Sequence, residues 1–287
     1  MDMIWHGLDQ AALDREYNAR ASVADCDAEL ARYATLSAAA RAALPHRADL
    51  VYDPATGNAL DWFPGAPGGP VLLWVHGGYW RALSKADQGC VAPGLVASGA
   101  HVAVMDYTLV PHAALDEIVR QVRAAVAWVA AHAAGLGADP RRLFVGGSSA
   151  GGHLAGMVLA DGWHAGSGLP RDAVRGGIAL SGLFDLQPVR RSFVNGWMGL
   201  DEAAAERLSP IRLIPRAGPA PRLLASCGGL ETAEFQRQTR DYAAAWSAAG
   251  HHAQVAPQPQ RNHFDIAVAL GLADDPLCRA AAAFLQG

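Results

Sequence analysis

Residues 147–151 read Gly-Ser-Ser-Ala-Gly, and this stretch constrains the fold of the 287-residue chain more than any other. The apolar residues 143–146 before it predict a buried strand, and residues 152–160 after it predict a helix. A sharp turn between a strand and a helix lifts a serine hydroxyl into a cleft, but side chains two positions before or after that serine would collide in the turn. The pattern therefore predicts a nucleophile elbow, the turn that presents a reactive serine.

Two adjacent serines leave two ways to place this pattern on the chain. Centring it on Ser149 puts Gly147 and Gly151 at both crowded positions. Centring it on Ser148 puts Ala150 where a glycine is required. The glycine spacing therefore predicts that Ser149 is the nucleophile.

The overall composition excludes several classes of protein. Hydrophobic residues make up 51% of the chain and charged residues 17%, which predicts a folded globular protein. A net charge of −4 and a pI near 6.2 argue against nucleic acid or a membrane as partners, because both favour a basic surface. The sequence has no bilayer-length apolar run and no secretion signal at its start, so we expect a cytoplasmic protein.

The order of the predicted elements indicates the fold class. Residues 1–45 form a helical extension, and a hairpin follows over 48–63. Apolar strands then alternate with helices, as expected for a parallel sheet that is covered on both faces. The predicted strands cover 70–75, 101–105, 143–146, 177–181, 222–226 and 253–256, and the predicted helices cover 8–20, 25–43, 86–97, 115–134, 232–249 and 276–285.

These elements predict one α/β domain over residues 1–287 with a doubly wound, mainly parallel sheet. Residues 187–216 have weak periodicity and several prolines nearby, and we interpret them as a partial lid over the cleft. Ligands of such sheets bind at the carboxyl ends of the strands, and the candidate site residues all follow predicted strands.

A serine nucleophile needs a base that takes its proton, and His263 is the best candidate for that base. It follows the elbow in the chain and lies on a loop after the last predicted strand. The other ten histidines precede the elbow or lie in a helix, at the start of a strand, or in a loop with no strand before it. A solvated loop histidine without a catalytic role is the alternative for His263.

Two carboxylates compete for the role of orienting the base. Glu231 follows the predicted strand 222–226, and Asp185 follows the predicted strand 177–181. Either could hold the imidazole in the right tautomer and stabilise the imidazolium. We favour Glu231, although it could simply neighbour a helix N-cap, and Asp185 could simply cap its loop.

Upstream, the predicted strand 70–75 runs into the sequence His-Gly-Gly-Tyr-Trp. Successive glycines after a strand allow backbone N–H groups to turn toward a ligand. The amides of Gly77, Gly78 and Ala150 are therefore the predicted oxyanion hole, in which one donor is typically worth about 3–4 kcal/mol of barrier. Tyr79 and Trp80 follow, and they either form the wall of the cleft or contact an aryl group of the substrate.

Together these motifs resemble those of the α/β-hydrolases, and within them the kynurenine formamidase (arylformamidase) group, which is related to the hormone-sensitive-lipase-like esterases. The resemblance extends over about residues 71–265 and rests on several separate blocks of sequence. These blocks are 76–80, 106–119, 147–151, 180–186, 231–238 and 263–265.

The resemblance implies that Ser149 and His263 are the catalytic serine and histidine, and that Glu231 is the acid. Because the group usually has aspartate at that position, Asp185 stays open as the alternative acid. The resemblance also implies hydrolysis of an N-formyl arylamine such as N-formylkynurenine. This chemistry requires neither a metal nor an organic cofactor.

Three functions remain open at this stage. The first is an arylformamidase, the second a general carboxylesterase for short acyl esters, and the third a binding protein with the fold of a hydrolase but without turnover. The expected partner is a small acyl amide or ester, with no nucleic acid and no membrane. A homodimer is an open alternative to a monomer.

Overall fold

A computed structural model of the protein describes residues 3–216 and 220–287. The strands are β1 (Arg47–Asp53), β2 (Asn58–Phe63), β3 (Val71–Val75), β4 (His101–Met105), β5 (Leu143–Ser148), β6 (Val174–Leu180), β7 (Arg222–Ser226) and β8 (Ala253–Val255). They form one eight-stranded sheet in the order β1-β2-β4-β3-β5-β6-β7-β8. β2 pairs antiparallel with β1 and β4, whereas all other neighbours are parallel. The predicted doubly wound, mainly parallel sheet is therefore confirmed.

Helices precede, connect and follow these strands. They are α1 (Gln10–Glu16), α2 (Cys26–Ala43), α3 (Ala92–Ala97), α4 (Leu115–His132), α5 (Ala150–Leu159), α6 (Leu186–Arg191), α7 (Asn195–Met198), α8 (Glu202–Arg207), α9 (Ala233–Ala248), α10 (Asp265–Ala269) and α11 (Pro276–Gln286). The segment predicted as a partial lid, 187–216, contains most of α6 and all of α7 and α8.

Two predicted helices are broken in the structure. The predicted helix over 86–97 is wrong in its first half, where two 3-10 turns, Lys85–Asp87 and Gly89–Val91, precede α3. Pro93 has no N–H group to donate to residue 89, so an α-helix cannot run through this position without losing a hydrogen bond. The predicted helix over 8–20 ends at Glu16, because the Asn18 side chain caps a separate 3-10 turn, Ala19–Ser22.

The core lies on both faces of the sheet. Alternate side chains of β3 point to opposite faces, so that Leu73 packs in a cluster with α4 and α5, while Trp74 packs in a second cluster with α3, α10 and α11. Every residue of β3 is buried. This double coverage explains why its sequence is continuously apolar rather than alternating.

A buried ion cluster fastens α2 to the sheet. Asp61 of β2 is almost completely buried and binds both Arg41 of α2, at 3.0 Å, and Lys85, at 2.8 Å. Burial alone would raise the pKa of Asp61, but hydrogen bonds from Lys85, the Asp49 amide and Arg41 outweigh it and lower the pKa. The carboxylate therefore stays ionised and holds α2 beside the segment that follows β3.

We expect Asp61→Ala to lower the free energy of unfolding by about 3 kcal/mol, because it leaves two partly buried cations without their partner. Urea denaturation followed by circular dichroism measures this loss. Asp27→Ala is the matched control, since Asp27 pairs with Arg20 on the surface and such pairs contribute about 0–1 kcal/mol. Equal effects of the two substitutions would contradict a stabilising role for the buried cluster.

Candidate active site

Ser149 lies in a sharp turn between β5 and α5. Its backbone angles are φ +59° and ψ −120°, in a region that residues other than glycine rarely adopt. Such strain persists only where the surrounding structure enforces it. Here the Ser149 amide donates to the Leu180 carbonyl of β6 at 2.8 Å, and its carbonyl accepts from the His153 amide of α5 at 3.0 Å.

The glycines at both ends of the turn are required by close backbone contacts. A Cβ atom on Gly147 would clash with the carbonyl group of Gly151, and one on Gly151 would clash with the carbonyl oxygen of Val75 in β3. The structure therefore supplies the steric reason for the spacing by which the sequence singled out Ser149 rather than Ser148.

The loop after β3 lies directly against this turn. A Cβ atom on Gly77 would lie 2.9 Å from the Ser148 carbonyl oxygen and 3.3 Å from Cβ of Ser149. Gly78 has a φ of +96°, which glycine tolerates best. Among the described residues, the amides of Gly77, Gly78 and Ala150 donate to no protein acceptor. They can therefore donate to a ligand beside Ser149, as the oxyanion-hole prediction requires.

The carbonyl groups of the same loop have hydrogen-bond partners within the protein. The Tyr107 hydroxyl lies 3.1 Å from the His76 carbonyl oxygen and 3.3 Å from that of Gly77. The His76 ring stacks on Tyr107 and contacts the Gly77 carbonyl through Nδ1 at 2.8 Å. Burial lowers the pKa of His76, so its ring is neutral and Nδ1–H donates this bond.

The structure joins Glu231, and not Asp185, to His263. Oε2 of Glu231 accepts a hydrogen bond from Nδ1 of His263 at 2.6 Å. Asp185 instead caps α6, where its carboxylate accepts from the Gln187 amide at 3.0 Å, and it lies 3.9 Å from Arg212. Asp185 therefore has the loop-capping role that was its alternative in the sequence.

Glu231 is fixed by two further donors at its other oxygen. Oε1 accepts from the Ser181 hydroxyl at 2.5 Å and from the Gly228 amide at 2.6 Å. Burial alone would raise the pKa of Glu231, but the charge of His263 and the hydrogen bonds from His263, Ser181 and Gly228 outweigh it and lower the pKa. The residue that faces the imidazole is therefore a carboxylate anion.

His263 lies on the loop between β8 and α10, and α2 holds this loop in place. The Tyr33 hydroxyl of α2 donates to the Phe264 carbonyl at 2.7 Å. Asn262 donates to Glu29 of α2 at 2.7 Å. The N-terminal extension thus supports the candidate base through contacts that the sequence did not indicate.

Ser149 and His263 line the same cavity, which has a volume of about 420 Å³. Among the described residues no hydrogen bond of 3.5 Å or less joins the Ser149 hydroxyl to the imidazole. Such bonds are often long before substrate binds and shorten in the reactive complex. The cavity is also lined by Asn18, Ala19, Arg20, Leu30, Tyr33, Gly77, Gly78, Tyr79, Arg81, Ala82, Leu83, Gln88, Ser148, Phe193, Trp197 and Phe264.

The two predicted aromatic contacts have different positions. Tyr79 lines the cavity, and its hydroxyl donates to the Tyr17 carbonyl at 2.5 Å. Trp80 is completely buried and lies edge-on to His153, with 5.1 Å between ring centroids. The predicted substrate contact of Trp80 is therefore not supported, and neither is the alternative that Trp80 forms the wall of the cleft, because its side chain is buried in the core.

Two walls of the cavity were missed by sequence reasoning. Residues 18–20 form one wall, and Tyr17 anchors it by donating from its hydroxyl to Glu234 of α9 at 2.9 Å. Phe193 and Trp197, from the predicted lid segment, form the other. The extension and lid were recognised as segments, but no periodicity in them marks the side chains that turn toward the site.

We expect Glu231→Gln to lower the free energy of unfolding by about 1–3 kcal/mol at pH 7, because it removes the charged hydrogen bond to His263. The pKa of Glu231 is lowered by folding, so this contribution is fully present above the ordinary glutamate pKa and disappears as the pH falls through the lowered value. Urea denaturation of both proteins between pH 7 and pH 3 measures it. A difference that grows toward acid pH would contradict an ionised Glu231.

Comparison with known proteins places this arrangement among hydrolases. The BD-FAE family model matches residues 65–163. Kynurenine formamidase from Danio rerio is 32% identical over 227 residues, which cover 76% of this chain and 74% of the relative. Esterase LipC from Mycobacterium tuberculosis is 35% identical over 119 residues, which cover 39% of this chain and 29% of the relative.

A solved structure extends the likeness to nearly the whole chain. A candidate thioesterase from Silicibacter sp. superposes with a TM-score of 0.79 and 26% identity, covering 96% of this chain and 99% of the other. No helix in residues 3–216 and 220–287 combines the length and apolarity that a membrane crossing needs. Within the same residues, no three His, Cys, Asp or Glu side chains are grouped so that they could hold a metal ion.

Proposed function

Because the chain belongs to the kynurenine formamidase family of α/β-hydrolases, we propose that it removes the formyl group from an N-formyl arylamine with a Ser149–His263–Glu231 triad. The observation that carries this proposal is the 2.6 Å hydrogen bond from His263 to Glu231 at the edge of a cavity that Ser149 also lines. The comparisons agree with two predictions from the sequence: the resemblance of the motifs to this family, and a hydrolase as the class of enzyme.

In the first half of the reaction, Ser149 Oγ attacks the formyl carbon and His263 Nε2 takes the hydroxyl proton. Glu231 accepts from Nδ1–H throughout and stabilises the imidazolium. The carbonyl oxygen becomes an oxyanion that accepts from the amides of Gly77 or Gly78 and Ala150. The C–N bond then breaks as His263 returns the proton to the leaving amine, and a formyl ester remains on Ser149.

In the second half, water attacks the formyl ester. His263 takes a proton from the water as the new C–O bond forms, and the oxyanion again accepts from the loop amides. His263 then protonates Ser149 Oγ as the ester bond breaks, so that formic acid leaves and the free enzyme is restored.

The aromatic lining of the cavity favours an aryl substrate. Tyr79, Trp197 and Phe193 form a continuous wall, with Trp197 edge-on to Tyr79 at 6.1 Å and to Phe193 at 5.5 Å between ring centroids. An aryl group packed on such a wall gains about 0.5–1.5 kcal/mol beyond its burial. An esterase is the second candidate, because 119 residues of the chain are 35% identical to Esterase LipC.

We expect Ser149→Ala to lower kcat/KM by at least about 10⁴-fold without changing the fold, because the variant has no nucleophile. Labelling with a fluorophosphonate probe and turnover of N-formylkynurenine measure the loss. The adjacent serine supplies the matched control: Ser148→Ala should still be labelled and retain activity within about tenfold. Labelling that disappears in Ser148→Ala and persists in Ser149→Ala would reverse the assignment.

Turnover of two substrates separates the two candidate functions. If the protein is an arylformamidase, kcat/KM for N-formylkynurenine should exceed that for ethyl butyrate, an ester without an aryl leaving group, by at least about 10-fold, since a wall built for an aryl leaving group discriminates by more than about 1.4 kcal/mol. Efficient hydrolysis of the ester with no release of formate from the amide would establish the esterase instead.

A cytoplasmic location, a homodimer, a single domain and a lid role for 187–216 stay predictions.

A further inference from the structure

From the unpaired guanidinium of Arg81 beside the active site, we infer that Arg81 binds the carboxylate of the substrate. This inference rests on the proposed function and assigns a residue to the recognition of aryl amides or esters that carry a carboxylate. It assigns to Arg81 the role of a specificity-determining residue rather than a catalytic one.

Arg81 is the cationic side chain in the cavity that is available for a ligand. Among the described residues it forms neither an ion pair nor a side-chain hydrogen bond, although it lines the cavity. The other arginine of the lining, Arg20, already binds Asp27 at 2.8 Å. Of the described residues that line the cavity, none is an aspartate or a glutamate. No acidic side chain of this lining therefore opposes the binding of a carboxylate beside Arg81.

The guanidinium of Arg81 lies over an aromatic ring and has no protein acceptor among the described residues. Its central carbon lies 4.3 Å from the centroid of the Trp197 ring. A cation in this position is attracted by the ring without using its N–H donors in hydrogen bonds. Two parallel N–H groups of a guanidinium match the two oxygens of a carboxylate. The donors of Arg81 can therefore bind a carboxylate while the Trp197 ring helps to position the side chain.

The backbone of Arg81 has a fixed position relative to the oxyanion loop. The amides of Arg81 and Ala82 both donate to the Gly78 carbonyl at 3.0 Å. Tyr79 and Trp80 between them both have a positive φ, +49° and +57°, which completes a tight turn. The same loop therefore carries the amides of Gly77 and Gly78 for the oxyanion and the side chain of Arg81 for the carboxylate. This loop would select substrates by the distance between their carbonyl group and their carboxylate.

The experiment compares N-formyl-L-kynurenine with its carboxamide, which keeps the aryl formamide but has no carboxylate. We expect kcat/KM of the wild type to favour the carboxylate by about 10- to 100-fold, the range of a hydrogen-bonded charge. Arg81→Met should reduce this ratio to near one, and Arg81→Lys should retain part of it, because lysine keeps the charge but not the bidentate geometry. Arg207→Met is the control for loss of one charge, since Arg207 pairs with Asp116 outside the cavity.

Binding separates failure of this inference from failure of the proposed function. Calorimetry with Ser149→Ala measures the affinity for L-kynurenine and its carboxamide without turnover. We expect tighter binding of the carboxylate, and loss of that preference when Arg81→Met is added. A protein without formamidase turnover that keeps this preference contradicts the proposed function but supports the role of Arg81.

Two results would overturn the inference. One is a ratio near one in the wild type by both turnover and calorimetry. The other is a preference that survives Arg81→Met and disappears in Arg20→Met, which would transfer the carboxylate to the other arginine.

Discussion

The site depends on one ionised carboxylate that joins the ends of separate strands. Glu231 follows β7, its Oε1 binds Ser181 after β6, and its Oε2 binds His263 after β8. Each partner comes from a different loop, so this carboxylate links side chains of three loops that backbone hydrogen bonds also join. A buried carboxylate without such donors would be neutral, because burial raises its pKa. The donors therefore determine both the protonation state and the geometry.

A second constraint acts on the opposite side of the serine. The loop after β3 can direct its amides toward a ligand only if its carbonyl groups have partners elsewhere. Tyr107 and the neutral ring of His76 provide those partners. Gly78 and Ser149 both have a positive φ, and the two segments that carry them lie against each other. Pre-oriented donors of this kind need no rearrangement when charge develops in the transition state.

The sequence indicated candidate site residues that the structure brings to one cavity, because the requirements of the turn at Ser149 are local. Close backbone contacts within one turn and with β3 require glycine at 147 and 151. This requirement produces a spacing that is visible in the sequence. The choice of Glu231 over Asp185 could only be a preference, since both follow strands and the hydrogen bond to His263 joins residues 32 positions apart. Trp80 shows a further limit. Consecutive positive φ angles in the turn direct Tyr79 to the cavity and Trp80 to the core, and no residue pattern states this difference.

The walls of the cavity are formed by contacts between segments that are distant in the sequence. The sequence did not predict these walls for that reason. Tyr79 donates to the Tyr17 carbonyl of the N-terminal segment, and Arg81 of the same turn lies over Trp197 of the segment 187–216. These are single contacts, and none of the segments has a repeated spacing. The proposed chemistry and the proposed selectivity therefore depend on different parts of this chain. The proposed triad and amides follow the strand ends of the sheet, where the fold fixes them. The walls of the cavity come from segments packed over the sheet, which can change without disturbing the arrangement of these residues. Arg81 links the two parts, because its turn continues the loop after β3 while its side chain lies over Trp197.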